Sequence, residues 1–175
     1  WLVLARTNPL LKPIPKILKQ KGLFFKTVDG KSVAKNLYED IEHWDKLRKG
    51  ESIPEIQEQR VLEKIKGKPN YNLEWYDAFD NVASAKIDYL RTMISNGEKV
   101  KDEPRITVST IHGAKGGEAT NVVLFLNQTT NTMKASKKSV YKQDEEYRVW
   151  YVGVTRTIQN LYLIKCNNKR KEFII

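Results

Sequence analysis

Apolar positions fall into three regimes along the chain, and each change of regime predicts a change of structure. Leu2 to Ala5 is a short continuous apolar run, the pattern of a strand covered on both faces, with Arg6, Thr7 and Asn8 at its C-terminal end. Pro13 and Pro15 admit a helix only from about Ile14, and Gly22 stops it just after Lys19 and Lys21. Leu23 to Val28 then reads as a second strand, so the chain opens in the strand, helix, strand order of an α/β layer.

From Asp29 the period lengthens. Leu37, Ile41, Trp44 and Leu47 make one stripe on a helix over Ala34 to Leu47, and Ile56, Val61, Leu62 and Ile65 predict another. A third helix is expected from about Leu73 to Ile94, with Asn72 as its N-cap and Gly97 as its stop. Trp75, Tyr76 and Phe79 recur at helical spacing and read as core. Strand character returns at Arg105 to Ser109, in the uninterrupted NVVLFL run of Asn121 to Leu126, and at Leu161 to Lys165. Between the first two lies a polar turn, Thr110 to Glu118. Before the third, after a lysine-rich loop, a helix is expected with Asp144 as its cap, Glu145 and Glu146 in its first turn, and Val149, Val152 and Arg156 on one face. The fold class is therefore α/β: a mainly parallel sheet flanked by helices, built from residues 1–28 and 105–175 and interrupted by a mainly helical insert at 29–104.

Charge narrows the partners. The chain of 175 residues has 31 Lys and Arg against 21 Asp and Glu, a net charge of +10. Part of that excess is clustered, at Lys134, Lys137, Lys138 and Lys142 and again at Lys165, Lys169, Arg170 and Lys171. Such clusters suit a polyanion. One cysteine, Cys166, excludes an internal disulfide framework and is in keeping with a reducing cytoplasm, and with two His it leaves no zinc-finger set, so no metal site is expected. No apolar run nears the about 20 residues of a membrane span, and nothing at the start resembles a secretory signal. Strand-like residues directly after Trp1 suggest a piece of a longer chain.

Two segments carry chemistry rather than packing. Ser109 to Glu118 reads STIHGAKGGE, a glycine-broken turn holding a His, a Lys and a Glu, and Glu145 to Arg156 reads EEYRVWYVGVTR, closing on an arginine. Glycines let backbone approach a ligand closely. No Gly-x-x-x-x-Gly-Lys-Ser/Thr run occurs anywhere, so the chain has no phosphate-cradling loop of its own.

With ARTN at Ala5 to Asn8, these segments resemble, in order, motifs IV, V and VI of the UvrD/Rep/PcrA-type superfamily 1 DNA helicases. The likeness covers roughly Trp1 to Val28 and Arg105 to Lys165; the helical middle matches only by position, as either a reduced version of the family's larger insertion or a phage-like minimal form. The likeness implies a second RecA-like domain. Arg6 and Arg156 would be the catalytic arginines that reach the γ-phosphate of ATP, Glu118 would bind the nucleotide ribose, and Thr110, His112 and Lys115 would lie along single-stranded DNA. Glu145, Glu146 and Arg148 would support the arginine, with Glu145 and Arg148 also forming an ordinary helix pair. Trp150 and Tyr151 read as packing. Ala5 stands where many relatives carry a tyrosine that stacks on adenine, and Gly117 where a leucine is common.

The resemblance further implies ATP and Mg²⁺ as cofactors of the whole protein, with none bound by this chain alone. Its implied partners are single-stranded DNA or DNA junctions and an N-terminal RecA-like domain carrying the Walker motifs, in a bacterial cell or a phage-infected host. No membrane partner is implied. The other reading is a non-catalytic nucleic-acid or protein-binding module that keeps a helicase-like scaffold.

Overall fold

The computed structural model describes all residues, Trp1–Ile175. It contains strands β1 (Leu2–Ala5), β2 (Phe25–Thr27), β3 (Gly30–Lys31), β4 (Ile106–Thr110), β5 (Ala119–Phe125) and β6 (Thr157–Ile164). Its helices are α1 (Asn8–Leu11), α2 (Pro13–Gln20), α3 (Lys35–Arg48), α4 (Glu55–Leu62), α5 (Trp75–Ala78), α6 (Ser84–Ser95), α7 (Thr130–Ser136) and α8 (Val140–Val154). The strands form one sheet in the order β3-β2-β4-β1-β5-β6. β1 pairs in parallel with β4 and β5, β2 with β4, and β5 with β6. The fold is α/β, with a mostly parallel sheet flanked by helices and a helical stretch of chain between β3 and β4.

The chain divides into two compact units. One comprises Trp1–Ile17, Phe25–Gly30 and Pro104–Ile175; the other comprises Leu18–Phe24 and Lys31–Glu103. In the first, alternation along the central strands turns Leu2, Leu4, Val122 and Leu124 to one face, where they meet Ile111 and Trp150 in a buried cluster. α8 approaches this cluster closely at Gly153. A Cβ there would lie 3.3 Å from Ile111 and 3.4 Å from Leu124, so a bare glycine brings the helix down onto the sheet.

In the second unit, Trp44, Phe79, Leu90, Met93 and Val61 are fully buried. Trp44 stacks on Tyr71, meets Phe79 edge to face, and donates Nε1–H to Leu73 O at 3.1 Å. Arg60 of α4 is bound to the buried carboxylate of Asp40 on α3, and its Nη2 lies 3.5 Å from Glu39. This pair fastens α3 to α4.

Five expectations are corrected. The helix expected over Leu73 to Ile94 is two helices, because Asp80 and Asn81 turn to the backbone after α4: Asp80 Oδ1 accepts from Lys66 N at 2.6 Å and Asn81 Nδ2 donates to Glu63 O at 2.8 Å. Short polar side chains that bond local backbone break a helix. Asn72 caps nothing; its N–H donates to Asn70 Oδ1 at 3.1 Å. α8 starts at Val140 rather than Asp144, since Ser139 is its cap and accepts from Lys142 N at 3.2 Å, which puts Glu145 and Glu146 beyond the first turn. The helix ends at Val154 and β6 begins at Thr157, four residues before the expected Leu161, so Arg156 lies in the link between them and not on the helical face. Part of the lysine-rich loop is helical as α7, capped by Thr129.

Candidate functional site

The sheet order locates a site before any residue is considered. From β1 the chain crosses β4 to reach β2, and from β4 it crosses β1 to reach β5, so the direction of winding reverses between β1 and β4. In an open α/β sheet the crevice beyond the strand ends at such a reversal is where ligands bind. Arg6 stands one residue past the end of β1. The turn from Ile111 to Glu118 follows β4 directly.

Arg6 is held side-on by Glu146 of α8. Its Nε donates to Glu146 Oε1 at 2.9 Å and Nη2 to Oε2 at 2.9 Å, a two-point pairing that fixes both groups. Glu146 is 5% exposed. Its Oε1 also accepts from Trp150 Nε1 at 2.8 Å and from Gln128 Nε2 at 3.3 Å. Trp150 in turn stacks on Phe173, with ring centres 4.7 Å apart and planes at 11°. On the outer side Arg6 Nη1 lies 3.4 Å from His112 Nδ1.

Beyond this pair is a cleft of about 740 Å³ lined by Arg6, His112, Asn131, Thr132, Ser136 and Arg148, with Lys138, Lys142 and Glu145 on its wall. Lys142 Nζ donates to Glu145 Oε2 at 2.7 Å. That bond lowers the carboxyl pKa of Glu145 and raises the ammonium pKa of Lys142. Glu145 is therefore bonded to Lys142 and not to Arg148, its expected partner.

Arg156 reaches the same turn from the opposite end. Nε donates to Val152 O at 3.0 Å, Nη2 to Thr155 Oγ1 at 3.3 Å and Nη1 to Gly117 O at 3.4 Å. Backbone adds a further tie, Ala119 N to Arg156 O at 3.0 Å. The turn itself is closed by Thr110, whose Oγ1 accepts from Gly113 N at 3.0 Å. At Gly116 it passes through φ +83°, a conformation that glycine adopts without strain.

The expected site residues are thus not all in one place. Arg6 and His112 share the cleft just described. Thr110 opens with Gly113, Ser109, Asn8, Lys12 and Lys26 onto a second cleft of about 700 Å³. Lys115 and Glu118 are exposed on the turn and line neither cleft. Sequence reasoning passed over Gln128 and took Trp150 as packing. The visible signal for Trp150 was its spacing, since a donor four residues after Glu146 on one helix lies beside it.

No helix is long and apolar enough to cross a membrane. No curated protein matches the chain. The model of the UvrD-like helicase C-terminal domain family matches residues 32–168, a stretch that takes in the turn after β4 and all of α8 and leaves β1 and Arg6 outside. With that match over most of its length and an α/β fold of the kind this family has, the chain belongs to the UvrD-like helicase C-terminal domain family.

Proposed function

We propose that the chain acts as the second RecA-like domain of an ATP-dependent DNA helicase, residues 1–28 and 105–175 forming that domain and 29–104 its insert. It presents Arg6 and Arg156 to the γ-phosphate of ATP, which an N-terminal RecA-like domain would hold with Mg²⁺ on its Walker motifs. Glu118 serves the ribose, and Thr110, His112 and Lys115 serve single-stranded DNA or a junction. The observation that carries this reading is that both arginines touch one turn, Arg6 through His112 and Arg156 through Gly117.

The chemistry suits arginine. Phosphoryl transfer needs fixed positive charge on the oxygens that gain charge, and a guanidinium supplies it with a planar set of donors. An arginine in that role contributes about 10³ to 10⁵ in rate. A turn that bonds both arginines and exposes a lysine is also placed to relate DNA contact to phosphate contact.

A second reading, a non-catalytic nucleic-acid or protein-binding module, is favoured by one observation. Arg156 already donates to the Val152 carbonyl of its own helix end, to the Thr155 hydroxyl and to the Gly117 carbonyl, as a cation at a helix C-terminus often does. The two readings separate in one experiment: DNA-stimulated ATP turnover by the chain together with its phosphate-loop domain. A motor domain supports turnover, and Arg156→Ala lowers it about 10³-fold with an unchanged circular dichroism spectrum. Single-strand binding without any turnover would select the second reading.

A further inference from the structure

We infer that Glu146 is a positioning residue for Arg6: it decides which edge of the guanidinium faces the cleft, and Gln128 and Trp150 hold it at the angle that does so. This rests on the reading of Arg6 as a phosphate-directed arginine.

A guanidinium has five N–H groups in one plane. Glu146 takes the Nε and Nη2 edge, at 2.9 Å on both. What remains turned to the cleft is Nη1, beside His112, with the outer proton of Nη2. Had the carboxylate met the Nη1 and Nη2 end instead, the same ion pair would have covered the donors a phosphoryl oxygen needs. The mode of pairing therefore matters, beyond its existence.

The mode is fixed by what surrounds the carboxylate. Oε1 receives donors from Arg6, Trp150 and Gln128, so its lone pairs leave little freedom to rotate. Trp150 is 1% exposed and its ring lies flat on Phe173, which sets the direction of the indole N–H. Gln128 is 6% exposed and lies in the link between β5 and α7. Arg6 from the end of β1, Gln128 from the link after β5 and the stacked indole of Trp150 thus converge on one oxygen. Of the three buried polar or charged side chains in the protein, Gln128 and Glu146 both belong to this brace.

The consequence is that Arg6 is presented rather than swung. Its side chain has lost the rotamer freedom a free arginine would have, and a ligand must come to it. Arg156 differs, since neutral oxygens at 3.0 to 3.4 Å hold it and a stronger acceptor can displace them.

The test is a double-mutant cycle on DNA-stimulated ATP turnover, with Arg6→Ala and Glu146→Gln. Glutamine keeps the size and one acceptor oxygen but loses the second acceptor that the side-on pairing needs. Glu146→Gln should lower kcat about 10²-fold, the scale of a misplaced catalytic group, with KM for ATP nearly unchanged. In the Arg6→Ala background it should add nothing. The nitrogen-15 resonance of Arg6 Nε–H, slowly exchanging in the parent, should exchange fast in Glu146→Gln. If Arg6→Ala itself leaves kcat intact, the phosphate role of Arg6 falls, and the inference with it. If Arg6→Ala removes turnover while a stably folded Glu146→Gln keeps kcat within about threefold, well short of the misplacement scale, the inference alone is overturned. Losses that multiply in the double variant overturn it as well.

Discussion

Each of the two units buries one carboxylate, and each carboxylate is bound to an arginine, yet the pairs do different work. Asp40, 1% exposed, meets Arg60 across the α3–α4 contact, and the same guanidinium reaches Glu39. Its Nε and Nη2 face two adjacent carboxylates of one helix. Glu146 meets Arg6 at the end of a strand, and the unused edge of Arg6 faces a cleft. A buried ion pair is weak grounds for either stability or function until the remaining donors are followed. Where the arginine bridges carboxylates of a neighbouring helix the pair is a fastener; where its unused edge lines a cleft it is a presented group.

The contrast can be broken most forcefully at the helical pair. Arg60→Ala leaves Asp40 charged and buried with only Lys64 near, at 3.9 Å, and should destabilise that unit by about 3 to 5 kcal/mol; urea unfolding followed by tryptophan fluorescence measures it. Trp150→Phe removes one of the donors to Glu146 and keeps a ring against Phe173, so the first unit should lose about 1.5 to 3 kcal/mol. Calorimetry would show this, and an unchanged melting temperature would mean that the brace is idle. Ser139→Ala removes the cap of α8 and should destabilise by about 1 kcal/mol, with the fraying visible as faster amide exchange at Lys142.

The smallest effect is a pH dependence in the helical unit. Burial raises the pKa of Tyr89 above 10.0, with a lesser opposing pull from its hydrogen bond to Ser32. The unfolded phenol ionises first. Its contribution is therefore complete below the unfolded pKa and is lost as pH rises through the folded one. Thermal melts of the parent should fall with alkaline pH more steeply than those of Tyr89→Phe.

Much of the fold was legible because its elements have strong periods. The continuous runs at Leu2 to Ala5 and Asn121 to Leu126 are parallel strands side by side in the sheet; the first is buried throughout, whereas the second buries Val122 and Leu124 and leaves Val123 and Phe125 half-buried on its other face. The boundaries were less legible wherever short polar side chains decided them. Asp80 and Asn81 bond backbone after α4, and Ser139 caps a helix whose first turn holds no acid. In the site, Arg6 and the turn after β4 stood out by residue type. Glu146 did not stand apart from Glu145, because which of two adjacent acids points inward depends on where the helix begins. Gln128 gave no sign at all, as its role depends on how the link after β5 folds back against α8.

The contrast between the two arginines is tested most directly by one paired measurement: DNA-stimulated ATP turnover, per folded molecule, for Arg6→Ala and Arg60→Ala beside the parent, each combined with the phosphate-loop domain. Arg6→Ala should lose about 10³-fold or more, while Arg60→Ala, though less stable, should turn over at the parent rate. Equal rates for the two variants would contradict the assignment of one pair to function and the other to structure.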